Sequence, residues 1–119
     1  NEENVMAGPI VLSSIETATN ADILQGTRLQ TVPQGGYLTF ELQSSANDDT
    51  TNFNVSVQMP NGDTPLNDVR VTKGATTGAL NNNDKMQITL PVAQGGHTVF
   101  SCTETGIAQL TWRVTYTPA

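Results

Sequence analysis

The sequence predicts an all-β protein, an eight-stranded antiparallel β-sandwich of the jelly-roll, double Greek-key kind. Three observations predict it. Apolar and polar residues alternate with period two in four segments, no window sustains the 3.6-residue period of a helix, and an internal echo divides the chain into two comparable halves. With 18 threonines and 11 asparagines among 119 residues, and only 13% charged residues, the composition suits pleated, half-buried surfaces joined by polar turns.

The first candidate strand, Ile10 to Glu16, is weakly patterned, and so is the second, Thr27 to Val32. Asn20-Ala21-Asp22 could instead cap a short helical turn within Ile15 to Leu24. The third strand is clear: in YLTFELQ, Leu38, Phe40 and Leu42 share one face while Thr39, Glu41 and Gln43 face water. In NFNVSVQM the inward set is Phe53, Val55, Val57 and Met59. Pro60-Asn61-Gly62 then reads as a type I turn with glycine at the left-handed position of a short hairpin. Val69 to Lys73 follows as a weak strand. KMQITLPV turns Met86, Ile88, Leu90 and Val92 inward, His97 to Thr103 is a further weak candidate, and AQLTWRVTY buries Leu110, Trp112, Val114 and Tyr116. Ser44 to Asn52 and Ala75 to Asp84 are polar loops. Strands with one wet and one dry face must press their dry faces together, which makes the sandwich.

The echo lies at a shift of 60 residues. Val32-Pro33-Gln34-Gly35-Gly36-Tyr37-Leu38-Thr39-Phe40 matches Val92-Ala93-Gln94-Gly95-Gly96-His97-Thr98-Val99-Phe100 at the valine, glutamine, both glycines and the phenylalanine. Each copy sits between two strands, giving two sets of four.

Composition excludes several function classes. A net charge of −6 with five scattered cations repels phosphate backbones, so no nucleic acid is expected. The longest apolar stretches, around Gly8 to Leu12, are far short of the roughly 20 residues a spanning helix needs, so no membrane partner is expected. The start, NEENVMAG, is acidic and shows no signal peptide. Cys102 is the only cysteine, which rules out an internal disulfide and fits assembly inside a cell.

Candidate chemistry is sparse. His97 and Cys102 invite a thiolate–imidazole pair, but at odd and even positions of one strand they point apart. A single cysteine and a single histidine cannot build a structural zinc site. Asn47-Asp48-Asp49, Asn61-Gly62-Asp63, Asn67-Asp68 and Asn81-Asn82-Asn83-Asp84 offer oxygen ligands without a spaced calcium-loop pattern, and turn formation accounts for them. Glu41 and Glu104 are the strand-associated carboxylates that a sugar hydrolase would need as a facing pair, and either suits a solvated face. Phosphate loops and nucleophile elbows are absent. The expectation is no enzyme, no catalytic residue, no metal and no cofactor. Trp112 lies in phase with the core, so Tyr37 is the one aromatic expected in solvent.

An acidic, Thr/Asn/Gln-rich sandwich with an N-terminal NEENVMAGPIVL arm and a terminal TWRVTYTPA strand resembles the small decoration, or cement, proteins of tailed-bacteriophage capsids and similar virion accessory proteins. The resemblance is one of size, composition and pattern over the whole chain. It implies a non-enzymatic virion structural protein, assembled in the host cytoplasm, that decorates and stabilises the capsid. Its partners would be the major capsid protein and itself, as a homotrimer with an extended terminus crossing onto neighbouring subunits. Residues 1–8 would then be an arm and 9–119 the sandwich domain, with Val5, Met6, Pro9, Ile10 and Tyr37 as partner-binding residues. The alternative is a secreted or cell-surface sandwich module for adhesion or carbohydrate binding.

Overall fold

In a computed structural model of the chain, which describes residues 8–119, seven strands form two antiparallel sheets packed face to face. They are β1 (Ile10–Glu16), β2 (Gly36–Ser44), β3 (Asn52–Gln58), β4 (Leu66–Arg70), β5 (Met86–Val92), β6 (Val99–Thr105) and β7 (Leu110–Pro118). The larger sheet has the order β1-β7-β2-β5 and the smaller β4-β3-β6. The expected eight strands are corrected to seven among the described residues, and no helix forms in 15–24.

The strand expected over Thr27 to Val32 is a pair of turns. The Thr27 amide donates to the Leu24 carbonyl at 3.1 Å, the Gln30 amide to the Thr27 carbonyl at 3.2 Å, and the Thr27 hydroxyl caps the first turn on the same Leu24 oxygen. Leu24, Leu29 and Val32 are buried, so their apolar signal comes from a loop that plugs the core. An isolated strand-like contact lies earlier. Asn20 makes an antiparallel bridge to Cys102 of β6, and the Ile23 amide donates to the Phe100 carbonyl.

The pairing is nested. β1 pairs with β7, the Asn20 segment with β6, β2 with β5, and β3 with β4, as in a single long hairpin rolled up on itself. The Gln-Gly-Gly segments meet inside this roll, where the Gly95 amide donates to the Val32 carbonyl and Gly36 pairs with Val92.

Two weak strands begin elsewhere than expected. β4 starts three residues before Val69, with a bulge opposite Val55 to Val57 and Asp68 in the left-handed region (φ 53°). The Ser56 hydroxyl accepts the Asp68 amide and the Asn54 amide group donates to the Asp68 carboxylate, which holds that conformation. β6 starts at Val99, two residues later than expected, and runs to Thr105. The Pro60-Asn61-Gly62 turn forms, with Gly62 at φ 94° and its amide donating to the Met59 carbonyl.

Leu38, Phe40 and Leu42 meet Phe53, Val55, Val57, Phe100 and Cys102 across the interior, with Leu110, Trp112, Val114 and Tyr116 beside them. Phe100 is the centre of an edge-to-face cluster, 5.2 Å from Phe40 and 5.8 Å from Trp112 between ring centroids. The fourth stripe, Met86 to Val92, is only half-buried because β5 lies at a sheet margin. Truncating Phe100 to alanine removes both ring contacts, and chemical denaturation should show a loss of about 3–5 kcal/mol.

Candidate interaction surface

The outward face of the larger sheet carries the exposed residues that the sequence singles out. Tyr37 pairs with Thr117 on one side and Pro91 on the other, and Pro9 lies one residue beyond the Ile10–Tyr116 pair. Pro9, Thr117, Tyr37 and Pro91 are all exposed, and Tyr37 keeps 47% of its surface. The next outward row is Val11, Thr115, Thr39 and Thr89, in which the Thr39 and Thr89 hydroxyls are hydrogen-bonded at 2.9 Å. At a strand spacing of about 4.8 Å the patch is roughly 14 Å across. It holds no charged side chain.

Charge enters in the third row, where one carboxylate is shared by two cations. Arg113 donates through Nε to Glu41 Oε1 (2.9 Å) and through Nη2 to Oε2 (2.5 Å), and the Lys85 ammonium donates to the same Oε2. Glu41 is 7% exposed, which corrects the expectation that Glu41 and Gln43 face water. The cause is the 73–85 loop, which folds over this end of the sheet. The Gln43 amide group donates to the Thr76 and Ala79 carbonyls, and its oxygen accepts the Asn81 amide. A Cβ at Gly74 would overlap the Gln43 side chain, so only glycine lets the loop pass. The fork from Arg113 holds the Glu41 carboxyl down at about 2, with Lys85 adding to it against the opposing effect of burial.

At the same end of the sandwich as Tyr37, on the open side between the sheets, lies an apolar groove of about 680 Å³. Met59, Pro60, Pro65, Leu90, Pro91 and Val92 line it, with Asp63 at the rim. Pro91 is shared between groove and patch.

His97 does not meet Cys102. Its Nδ1 lies 2.5 Å from the Gln30 carbonyl oxygen and its Nε2 2.8 Å from Asp22 Oδ2. Two acceptors require two N–H groups, so this geometry selects the imidazolium. The Gln30 carbonyl raises the His97 pKa most, burial opposes it, and Asp22 adds to the rise. Burial pushes the Cys102 thiol up to about 11, so it stays protonated. Trp112 is core, its indole N–H donating to Glu16 Oε2 at 3.1 Å.

The acidic loops spend their oxygens locally. Asp48 Oδ1 accepts the Thr50 amide, the Thr50 hydroxyl and the Thr51 amide, and Asp84 accepts the Ala75 amide. Among the described residues no group of three or more His, Cys, Asp or Glu side chains is placed to hold a metal ion. Glu104 accepts the Ala108 amide, on the sheet opposite Glu41.

Of the expected contact residues, Val5 and Met6 lie outside the described residues. Pro9 and Tyr37 fall on the same patch, while Ile10 is half-buried against the core. Sequence reading missed Val11, Thr89, Pro91 and Thr117, because their place beside Tyr37 depends on strand register.

Comparison with known proteins places the architecture. No protein-family model matches the chain, and no curated protein matches its sequence. Among solved structures, a chain of the acidic stable capsid structure of Helicobacter pylori bacteriophage KHP30 superposes with a TM-score of 0.52. The identity is 10%, over 97% of this chain and 92% of that one. The two share a fold. The CBM22-1 xylan-binding domain of Paenibacillus barcinonensis Xyn10C aligns over 94% of this chain and 87% of that one, with a TM-score of 0.35 and 12% identity.

Two pH effects follow. Glu41 titrates lower in the folded chain than its ordinary 4.5, so its contribution is complete above pH 4.5 and is lost as pH falls from there towards 2. Glu41→Gln should cost about 2 kcal/mol near neutrality and flatten that acid limb in a denaturant series. His97 titrates higher than its ordinary 6.5, so its contribution is complete below pH 6.5 and fades as pH rises through the folded value. His97→Gln should remove that alkaline decline, measured as unfolding midpoint against pH.

Proposed function

We propose that the chain is a non-enzymatic structural protein of a phage virion, seated on the capsid and stabilising it through its sandwich and its N-terminal arm. The observation that carries this reading is the whole-length likeness of fold to a chain of a phage capsid structure. The nested pairing supports it further. On this reading the nesting is that of a jelly roll whose second strand is represented by the Asn20 bridge alone.

The partner is the major capsid protein. The uncharged Tyr37 patch is the contact face, since a chain of net charge −6 meets a large partner with least repulsion where it carries no charge. Val5, Met6 and Pro9 add anchors from the adjoining terminus, Ile10 being turned towards the core, and the rigid sheet keeps the ordering cost low.

Particles purified on a density gradient should contain the chain at a fixed ratio to the major capsid protein. Tyr37→Ser and removal of residues 1–8 should each weaken its retention at least tenfold. Absence from particles, or full retention of both variants, overturns the reading.

A second reading, glycan binding at the same face, has one observation in its favour. Tyr37 is an exposed ring with the exposed Thr117 side chain beside it at sheet spacing. Titration with soluble oligosaccharides, followed by the change in tyrosine fluorescence in a Trp112→Phe background and its loss in Tyr37→Ser, should show saturable binding at millimolar or lower concentration if that reading holds.

A further inference from the structure

The margins of the two sheets differ in how they end their backbone hydrogen bonding. β6 is met by Asn20 and Ile23. β4 is five residues long, bulged, and carries Asp68 and Arg70 within it. β5 carries Pro91, which has no amide hydrogen to offer. Each is a device that discourages pairing with another chain.

β1 has none of them. Its seven residues contain no proline, glycine, lysine or bulge and run in unbroken register with β7 from Ile10 to Glu16. Among the described residues nothing pairs with its outer edge. Val11 (55% exposed) and Ile15 (43% exposed) project from its outward face. Its one charge, Glu16, is held by the Trp112 indole and the Asn20 amide group.

We propose that this edge is covered by a second copy of the chain. β1 pairs antiparallel with β1 about a two-fold axis at Ser13 and joins two four-stranded sheets into one of eight. The register with greatest overlap sets Ile10 opposite Glu16, Val11 opposite Ile15, Leu12 opposite Ser14, and Ser13 opposite itself. It places Val11 against Ile15 twice on the outward face, at the roughly 5 Å Cβ spacing of cross-strand pairs. The edge is self-complementary, as an isologous contact requires.

Charge favours the same occupant and the same register. A chain carrying −6 self-associates only where like charges stay apart, and this edge is neutral except for Glu16. In full overlap the two Glu16 carboxylates lie at opposite ends of the strand pair, about 20 Å from each other. The axis runs normal to the sheet, so both Tyr37 patches face the same side. The pairing would stand without the capsid reading, since it needs no capsid. Where a capsid is present, it lets one assembly engage two sites at once.

Sedimentation velocity of the native chain from about 5 to 500 μM should show a reversible monomer–dimer equilibrium, the range expected of an interface smaller than the standard ~1,600 Å². Val11→Lys and Ile15→Lys should each make the chain monomeric while preserving cooperative unfolding. Under mild oxidation, Ser13→Cys should cross-link to itself. Val11→Cys, about 14 Å from its own copy in this register, should cross-link with Ile15→Cys and not with itself. A native chain that is monomeric at every concentration or trimeric, as the cement-protein resemblance implies, overturns the proposal. So does Val11→Cys cross-linking to itself as readily as Ser13→Cys. The native chain's sedimentation decides the matter even if a variant fails to fold.

Discussion

Strand register is the constraint on which the remaining features depend. A slip of one residue in β2 would carry Leu38, Phe40 and Leu42 to the outside and bring Thr39, Glu41 and Gln43 into the core. The Phe40–Phe100–Trp112 cluster opposes such a slip, because those rings sit on three different strands drawn from both sheets. With that register set, the outward rows follow without further choice. Pro9, Thr117, Tyr37 and Pro91 form one, Val11, Thr115, Thr39 and Thr89 the next, and Arg113 beside Glu41 the third.

The same register explains why a charged group sits beneath a loop. Glu41 and Gln43 point outward by period-two alternation, and outward here means under residues 73–85. Gln43 supplies two donors and one acceptor to loop backbone that would otherwise rest on the sheet unpaired. Glu41 gathers Lys85, at the loop's end, to Arg113 on β7. An ion pair of this kind adds modest net stability, since desolvation opposes much of the attraction. Its effect is to fix where the loop lies and to leave the neighbouring rows of the face uncovered.

The strands with strong alternation were legible in the sequence because each carries its own evidence: β2, β3, β5 and β7 need no knowledge of their neighbours to be recognised. Residues 27–32 misled for the converse reason. Leu29 and Val32 are apolar because they fill the core, and nothing in a single segment distinguishes a buried turn from a buried strand. β4 was misplaced because Leu66-Asn67-Asp68 looks like a loop until Asn54 and Ser56 of β3 supply hydrogen bonds to Asp68. The candidate surface was half legible. Tyr37 could be assigned to solvent from its place after two glycines, whereas its neighbours Thr117 and Pro91 come from segments 80 and 54 residues away and meet it only through pairing.

A chain poor in lysine has to protect its sheet margins by other means, and each margin here is treated differently. Proline ends the donor row of β5, a left-handed aspartate twists β4, and the Asn20 segment after β1 lies along β6. These are local solutions that cost little, since each uses a turn or loop residue the fold already needs. The exception is β1, whose only acidic side chain, Glu16, is drawn to the Trp112 indole and away from the strand's edge. A straight, neutral margin with two exposed branched aliphatic side chains is costly to leave in water, because each unpaired amide must be solvated beside apolar surface. Its persistence in an otherwise guarded sandwich is physically consistent with a margin that is solvent-exposed only in the isolated chain.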